Sequence, residues 1–377
     1  MSSIPLDHLA PSHIRDMPTY VPGKPVEETA REFGLAEDSI IKLASNENPL
    51  GMSPKAKAAV IAALESGARY PDGHGYALRQ ALVSRLGVGA DQLVLGNGSS
   101  DLIVMAASAF LTAEHSAIVS QYGFSAYFPA VRAQGAELIV APAKDFGHDL
   151  DAMLAAIKPN TRLVFIANPN NPTGTMLSAE ALKAFLQKAP DDVVVVLDEA
   201  YREFQTSAQR PDSVAWVNDH PNLLIFRTLS KAYGLAGLRV GFAIGSSVVA
   251  GLLNRVRQTF NTSLLAQAAA LAALDDHEHL EATFAVNLAG LGQLYAGFDQ
   301  LGLSYVPSAG NFVMVEVPEA GEVYRALLRL GVIVRPLRPN YNLGGHLRIS
   351  VGLASENTRF LKALASVLAG RQEPLST

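Results

Sequence analysis

The chain has 377 residues, 49% of them hydrophobic and 17% charged, which allows a large core in two domains and excludes a disordered chain. A net charge of −5 with no long basic run leaves no electrostatic footprint for nucleic acid, and the absence of cysteine excludes disulfides, thiolate nucleophiles and thiolate metal sites. No apolar run approaches the ~20 residues of a membrane helix, and the start, MSSIPLDHLAPSHIRD, lacks a secretory signal's cationic-then-apolar pattern, so a cytoplasmic protein is expected.

In chain order, Leu93–Leu95 reads as a strand followed by GNGSSD and a helix to Phe110. Ala117–Val119 precedes Tyr122, and Leu138–Val140 precedes the helix Leu150–Ile157. Leu163–Ile166 ends at NPNNPTG, Val193–Leu197 at DEAY, and Leu223–Phe226 at TLSK, with Val240–Ile244 next. Short runs that are apolar throughout and separated by helices predict an α/β domain over 45–275, with a mostly parallel central sheet covered on both faces in three layers. Beyond it, a long helix (Glu281–Leu301), a strand (Phe312–Val317), a helix (Gly321–Leu330), two strands (Val332–Val334, Leu347–Val351) and a last helix (Glu356–Leu368) predict a smaller α+β domain of 276–377, joined by residues 1–44.

Ligands of open α/β sheets sit at the carboxyl ends of the strands, and the polar clusters fall there. Lys231 is the only lysine between Ala189 and Leu361 and sits among Leu229, Ala232, Tyr233 and Leu235. An amine in apolar surroundings loses proton affinity and becomes a nucleophile toward a carbonyl. Arg239, Thr228, Ser230 and the glycines 234 and 237 supply the guanidinium, hydroxyls and close backbone approach that a phosphate ester needs. Asp198 ends a buried strand, where a carboxylate needs a partner; alone it would read as a helix cap, but beside Lys231 it suits a protonated ring nitrogen. Tyr201 follows three residues later, and the rigid NPNNPTG turn can present the Asn171 amide. Ser99 and Ser100 begin a helix whose free N–H groups make an anion site. Tyr122 offers an aromatic face for a flat heterocycle, although a lone aromatic is more often a core residue. Arg335 and Arg348 interrupt the last strands and suit a carboxylate or phosphate. His277 and His279 beside Asp275 and Asp276 read as a solvated helix end, so no metal is expected.

The motifs SNENPLG (45–51), RYPDGHGYALR (69–79), GNGSSDLI (96–103), NPNNPTG (168–174), DEAYREF (198–204) and TLSKAYGLAGLRVGF (228–242) occur in the order seen in fold-type-I aminotransferases. With YVPGKP (20–25) and VIVRPL…LRISVG, the chain resembles the histidinol-phosphate branch over residues 15–365. It departs from that pattern at Ser100–Asp101, where Asp-Glu is commoner, and at Ser120–Gln121, where Pro-Thr is usual.

The resemblance implies pyridoxal 5′-phosphate (PLP) as cofactor, with Lys231 as its Schiff-base lysine and proton carrier. It implies that Asp198 pairs with the pyridine nitrogen, that Asn171 and Tyr201 bond the ring oxygen, and that Tyr122 stacks on the ring. Ser99, Ser100, Thr228, Ser230 and Arg239 would hold the cofactor phosphate. Asn46, Tyr20 and Arg335 would serve the substrate, and Arg348 would bind either the glutamate carboxylate or the substrate phosphate. Tyr70 would reach the neighbouring subunit's site in a homodimer. The expected reaction is ping-pong amino transfer between histidinol phosphate and 2-oxoglutarate in histidine biosynthesis; the alternative is an aromatic amino-acid aminotransferase acting on phenylalanine, tyrosine or prephenate.

Overall fold

The computed structural model describes residues 6–19, 23–338 and 340–372. Its larger sheet has seven strands in the order Leu93–Gly96, Gly241–Gly245, Leu223–Thr228, Val194–Asp198, Thr161–Ala167, Ser116–Ser120 and Glu137–Ala141. Only Gly241–Gly245 runs antiparallel to its neighbours among these strands. The continuous apolar runs follow from this geometry, because alternate residues enter cores on opposite faces. Val195 and Leu197 join one core with Leu93, Leu95, Ile225 and Ile244, while Val194 and Val196 join another with Phe165, Phe226 and Ala243. The alanine-rich helix Leu264–Leu274 buries Ala266, Ala269, Ala270 and Ala273 in the first core, and among the described residues no helix is long and apolar enough to cross a membrane.

The smaller sheet has the order Ile41–Leu43, Val332–Pro336, His346–Ser350, Phe312–Glu316 and Tyr305–Val306. Ile41–Leu43 pairs in parallel with Val332–Val334, so a strand from the start of the chain completes a sheet built at its end. Ala30, Ile40 and Ala44 pack there against Leu328 and Ile333. The long helix runs His277–Gln300, beginning four residues before its predicted start because the Asp276 side chain accepts the His279 N–H and caps it.

Two structural details place the site. The strands Thr161–Ala167, Val194–Asp198 and Leu223–Thr228 are parallel neighbours, so their carboxyl ends stand side by side. In the smaller sheet Arg335 and Arg348 are register partners on adjacent strands, so both guanidinium groups start from one line across the sheet.

Candidate active site

A cavity of about 200 Å³ lies where the larger sheet's strand ends meet the smaller sheet. Lys231, Asp198, Tyr201, Asn171, Asn46, Ser99, Arg335 and Arg348 all line it. These residues come from most of the length of the chain, and no local pattern places them together.

Lys231 follows the strand Leu223–Thr228 through a turn in which the Ser230 N–H donates to Thr228 Oγ1 at 3.1 Å. Its Nζ donates to the Ser45 carbonyl at 3.0 Å. Burial, reinforced by the Arg348 charge, pushes its pKa down to about 8. Asp198 is buried at its strand end, accepting from Tyr127 Oη at 2.8 Å and from the Ala200 N–H at 3.1 Å. Burial pushes its pKa up to about 6, against the opposite pull of those two hydrogen bonds. This carboxylate is desolvated more than its own partners compensate, and it faces a cavity that also holds the amine.

Tyr201 Oη accepts from Asn46 Nδ2 at 2.9 Å and from Asn171 Nδ2 at 3.1 Å. Burial raises its pKa to about 12, so the phenol keeps its proton. Asn46 is itself fixed by Ser350, whose hydroxyl donates to Asn46 Oδ1 at 3.0 Å and accepts the Asn46 N–H at 2.8 Å. Arg348 is buried; its Nη1 donates to Asn171 Oδ1 at 2.6 Å and its Nη2 to the Ala44 carbonyl at 2.7 Å.

Arg239 adopts a left-handed φ of 56° and directs Nη1 to Ser230 Oγ at 3.2 Å and to the Ala236 carbonyl at 3.1 Å. Its guanidinium lies so close to Gly98, at the start of the helix Ser99–Phe110, that a Cβ there would overlap it. A guanidinium packed on a helix N-terminus forms a cradle for a phosphate ester. Asp101 shapes that loop by accepting from the Asn97 N–H and from Asn261 Nδ2, each at 2.8 Å.

The structure does not bring every expected residue to the cavity. Tyr122 is not among its lining residues; Phe124 and Ser125 are. After the strand Ser116–Ser120 the chain reverses at Gly123, whose N–H donates to the Ser120 carbonyl at 2.8 Å. The turn sends Tyr122 to pack at 5.9 Å from the Phe146 ring and carries Phe124 to the cavity wall. Ser100 is exposed, one helical step beyond Ser99, and does not line the cavity. Thr228 is buried below the turn, where it accepts the Ser230 N–H. Tyr70 is 83% exposed, stacked on Phe260 with ring centroids 4.7 Å apart, and is not among the residues lining this cavity. Tyr20 lies outside the described residues.

Two further residues support the site: Tyr127, which escaped sequence reasoning, and Tyr341, whose role the sequence left open. Tyr127, fully buried and stacked on Phe165 at 4.6 Å, holds Asp198. Tyr341 lines the cavity from the smaller sheet's side and crosses to the larger, donating to Ser125 Oγ at 3.2 Å and accepting the Ser125 N–H at 3.3 Å. The three aromatic residues of QYGFSAY carried a usable signal: Phe124 and Tyr127 are three apart, the spacing that puts both on one side of a helical turn.

An amine of lowered pKa, a desolvated carboxylate, two amide–phenol contacts and a guanidinium on a helix start form the donor set that a pyridine ring with a phosphate arm requires. The residues present fit PLP. The family model for class I and II aminotransferases matches residues 38–364. The chain is 56% identical to the histidinol-phosphate aminotransferase of Methylobacillus flagellatus, over 96% of this chain and 98% of that one.

The chain belongs to the histidinol-phosphate aminotransferase family.

Histidinol-phosphate aminotransferase 2 of Pseudomonas aeruginosa is 53% identical over the same share of each chain. Among solved structures, the histidinol-phosphate aminotransferase from Sinorhizobium meliloti in complex with pyridoxal-5′-phosphate superposes with a TM-score of 0.87 at 29% identity, covering 96% of this chain and 97% of that one.

Proposed function

We propose that this aminotransferase moves the amino group between L-histidinol phosphate and 2-oxoglutarate, giving imidazole acetol phosphate and L-glutamate, by a ping-pong reaction on PLP in histidine biosynthesis. The observation that carries the reading is one cavity holding the Lys231 amine, the Asp198 carboxylate and the Arg335 and Arg348 guanidinium groups. When bound, PLP supplies an electron sink for the charge left at the substrate carbon. The chain's residues do the rest.

Asp198 holds a proton on the ring nitrogen, with Tyr127 fixing its orientation. Arg239, Ser230 and Ser99 hold the phosphate arm at the helix start. Phe124 forms the apolar wall that a flat ring meets. Tyr201, kept protonated and aligned by Asn46 and Asn171, addresses the ring oxygen. The Lys231 amine takes a proton from the substrate carbon and returns one, acting first as base and then as acid; with its pKa brought to about 8, both forms are accessible near neutral pH. Arg348 takes the glutamate carboxylate in one half-reaction and, with Arg335, the phosphate in the other. A guanidinium serves both because its planar fork matches either oxyanion.

The reading includes a large domain of 45–275 and a small domain of 1–44 with 276–377, supported by the place of Ile41–Leu43 in the smaller sheet. It also includes a cytoplasmic homodimer. Ile61, Leu64, Tyr70 and Tyr76, near one another in sequence and each exposed, support the dimer, since exposed large apolar side chains are candidates for a covered face. Tyr70 would there enter the neighbouring subunit's cavity.

The test is stopped-flow spectroscopy of the PLP-loaded protein mixed with histidinol phosphate and, separately, with phenylalanine. Rapid change of the cofactor spectrum with histidinol phosphate and slow change with phenylalanine is expected. The reverse order moves the function to aromatic amino-acid transamination, and no cofactor spectrum overturns the assignment.

A further inference from the structure

A second cavity, of about 260 Å³, lies behind the strand that leads to Lys231. Its walls carry four arginines: Arg85, Arg202, Arg210 and Arg227. Among the described residues, only two of the four are ion-paired. Among the described residues, Glu199 is the carboxylate ion-paired with this group, and two arginines share it: Arg227 Nε at 2.9 Å and Arg202 Nε at 3.7 Å. Its other oxygen accepts from Ser213 Oγ at 2.6 Å. Arg85 donates to the Leu274 carbonyl, and Arg210 to the Gln205 and Glu203 carbonyls, all of them uncharged acceptors. Asp212 and Glu203 also line the cavity, and burial pushes the Glu203 carboxyl up.

Arg227, only 7% exposed, is the buried member of the group and is held by Glu199. Arg85 and Arg210 are in no ion pair among the described residues, and a guanidinium without a carboxylate partner suits an anionic ligand. Leu82, Leu86, Phe242 and Leu274 add an apolar lining. A neighbouring cavity shares Arg85, Glu203, Arg210 and Leu280 and is lined further by His277, Glu281 and Phe284 at the start of the long helix. Neither of these cavities shares a lining residue with the catalytic one.

We propose that this cavity is an accessory binding site for a small organic anion, one carboxylate on a short apolar body. The carboxylate meets the Arg85 and Arg210 guanidinium groups, which line the cavity with only backbone carbonyls as partners, and the body lies on the leucine and phenylalanine wall. Guanidinium forks suit a carboxylate's two oxygens, and the volume equals roughly nine waters at about 30 Å³ each, enough for an acid of benzoate size.

The experiment uses crystals of the PLP-loaded protein soaked in 4-bromobenzoate, with data collected at the bromine absorption edge. The expected result is an anomalous bromine peak against Leu86 and Phe242, with carboxylate density at Arg85 and Arg210. The peak should disappear in Arg210→Gln and in Leu86→Trp, which fills the apolar side and leaves the arginines in place. Both substitutions lie outside the catalytic cavity, so the cofactor spectrum reports that each variant is folded. A bromine peak in the catalytic cavity alone, water alone at Arg85 and Arg210, or a peak that survives in both variants overturns the proposal. None of these outcomes bears on the transaminase reading, which rests on the other cavity.

Discussion

Arg348 Nη1 donates to Asn171 Oδ1 at 2.6 Å and thereby ties the smaller sheet to the loop that ends a strand of the larger one. The same Asn171 donates its amide to Tyr201, so a guanidinium and a phenol that both line the cavity share one orienting residue. Arg348→Lys keeps the charge but loses the fork. We expect kcat/KM for glutamate to fall about 100-fold, corresponding to about 3 kcal/mol for a charge-assisted contact. Steady-state kinetics with each substrate checks this, and an unchanged KM for glutamate would remove Arg348 from carboxylate binding.

Lys231→Ala should bind PLP without the absorption of the lysine-linked cofactor and lose turnover by several orders of magnitude. The wild-type amine adds a pH signature. Its pKa is lowered from 10.5 to about 8, and only the neutral amine attacks a carbonyl. Covalent loading of the cofactor-free protein should therefore speed up with pH until about 8 and then level off. A loading rate still climbing well beyond that point would show that the pocket does not depress this amine.

The strands and helices of the larger domain were legible because their apolar runs are long and their turns carry Gly, Pro, Asn and Asp. Lys231 and Asp198 were legible because each is chemically out of place in an apolar run. The strand Ile41–Leu43 was not, since so short a segment carries no period and its partner, Val332–Val334, lies near the other end of the chain. The choice among Tyr122, Phe124 and Tyr127 was not legible either: a tight turn at Gly123 decides which ring meets the cavity, and composition is blind to that. Which of Ser99 and Ser100 lines the cavity was not legible, because successive helical side chains point about 100° apart and the exact start of the helix decides which one turns inward.

Tyr127 is a positioning residue, acting through Asp198. Tyr127→Phe removes the donor and leaves the stacked ring on Phe165. Hydrogen bonds to a charged group contribute about 1.5–3 kcal/mol, so PLP should be held roughly 10- to 100-fold more weakly at neutral pH. Equilibrium dialysis of PLP measures it, with near-ultraviolet circular dichroism to confirm that the core is intact. Undiminished retention would mean that Asp198 is oriented by the Ala200 N–H alone.

Gly98 has a φ of +75°, a region that side-chain-bearing residues rarely adopt, and a Cβ there would overlap the Arg239 guanidinium. Gly98→Ala should displace Arg239 from the helix start and weaken cofactor binding, with about 1–3 kcal/mol lost in stability from backbone strain. In the proposed site Arg239 meets the phosphate arm, so pyridoxal lacking the phosphate should bind the variant and the wild type alike. A variant that loses pyridoxal as strongly as PLP would place the damage elsewhere.

Asp198 makes a prediction about the cofactor-free protein. Its folded pKa is raised from 3.8 to about 6, mainly by burial. Between these values the folded state binds more protons than the unfolded one, so stability falls as pH rises. The contribution is fully present below pH 3.8 and lost as pH passes 6, and the shift is equivalent to about 3 kcal/mol. Asp198→Asn carries no titrating carboxyl at this position, so its stability should lack that fall. Urea denaturation of both proteins at about pH 4.5 and about pH 7, on either side of the folded pKa, isolates the difference. Adding PLP should reverse the order at neutral pH: a protonated ring nitrogen gives the wild-type carboxylate its missing partner, and the neutral amide of the variant offers no charge to meet it. Parallel stability profiles for the two cofactor-free proteins would show that Asp198 is not held out of water as the geometry indicates. Equal stabilisation by PLP would show that the carboxylate does not face the ring nitrogen.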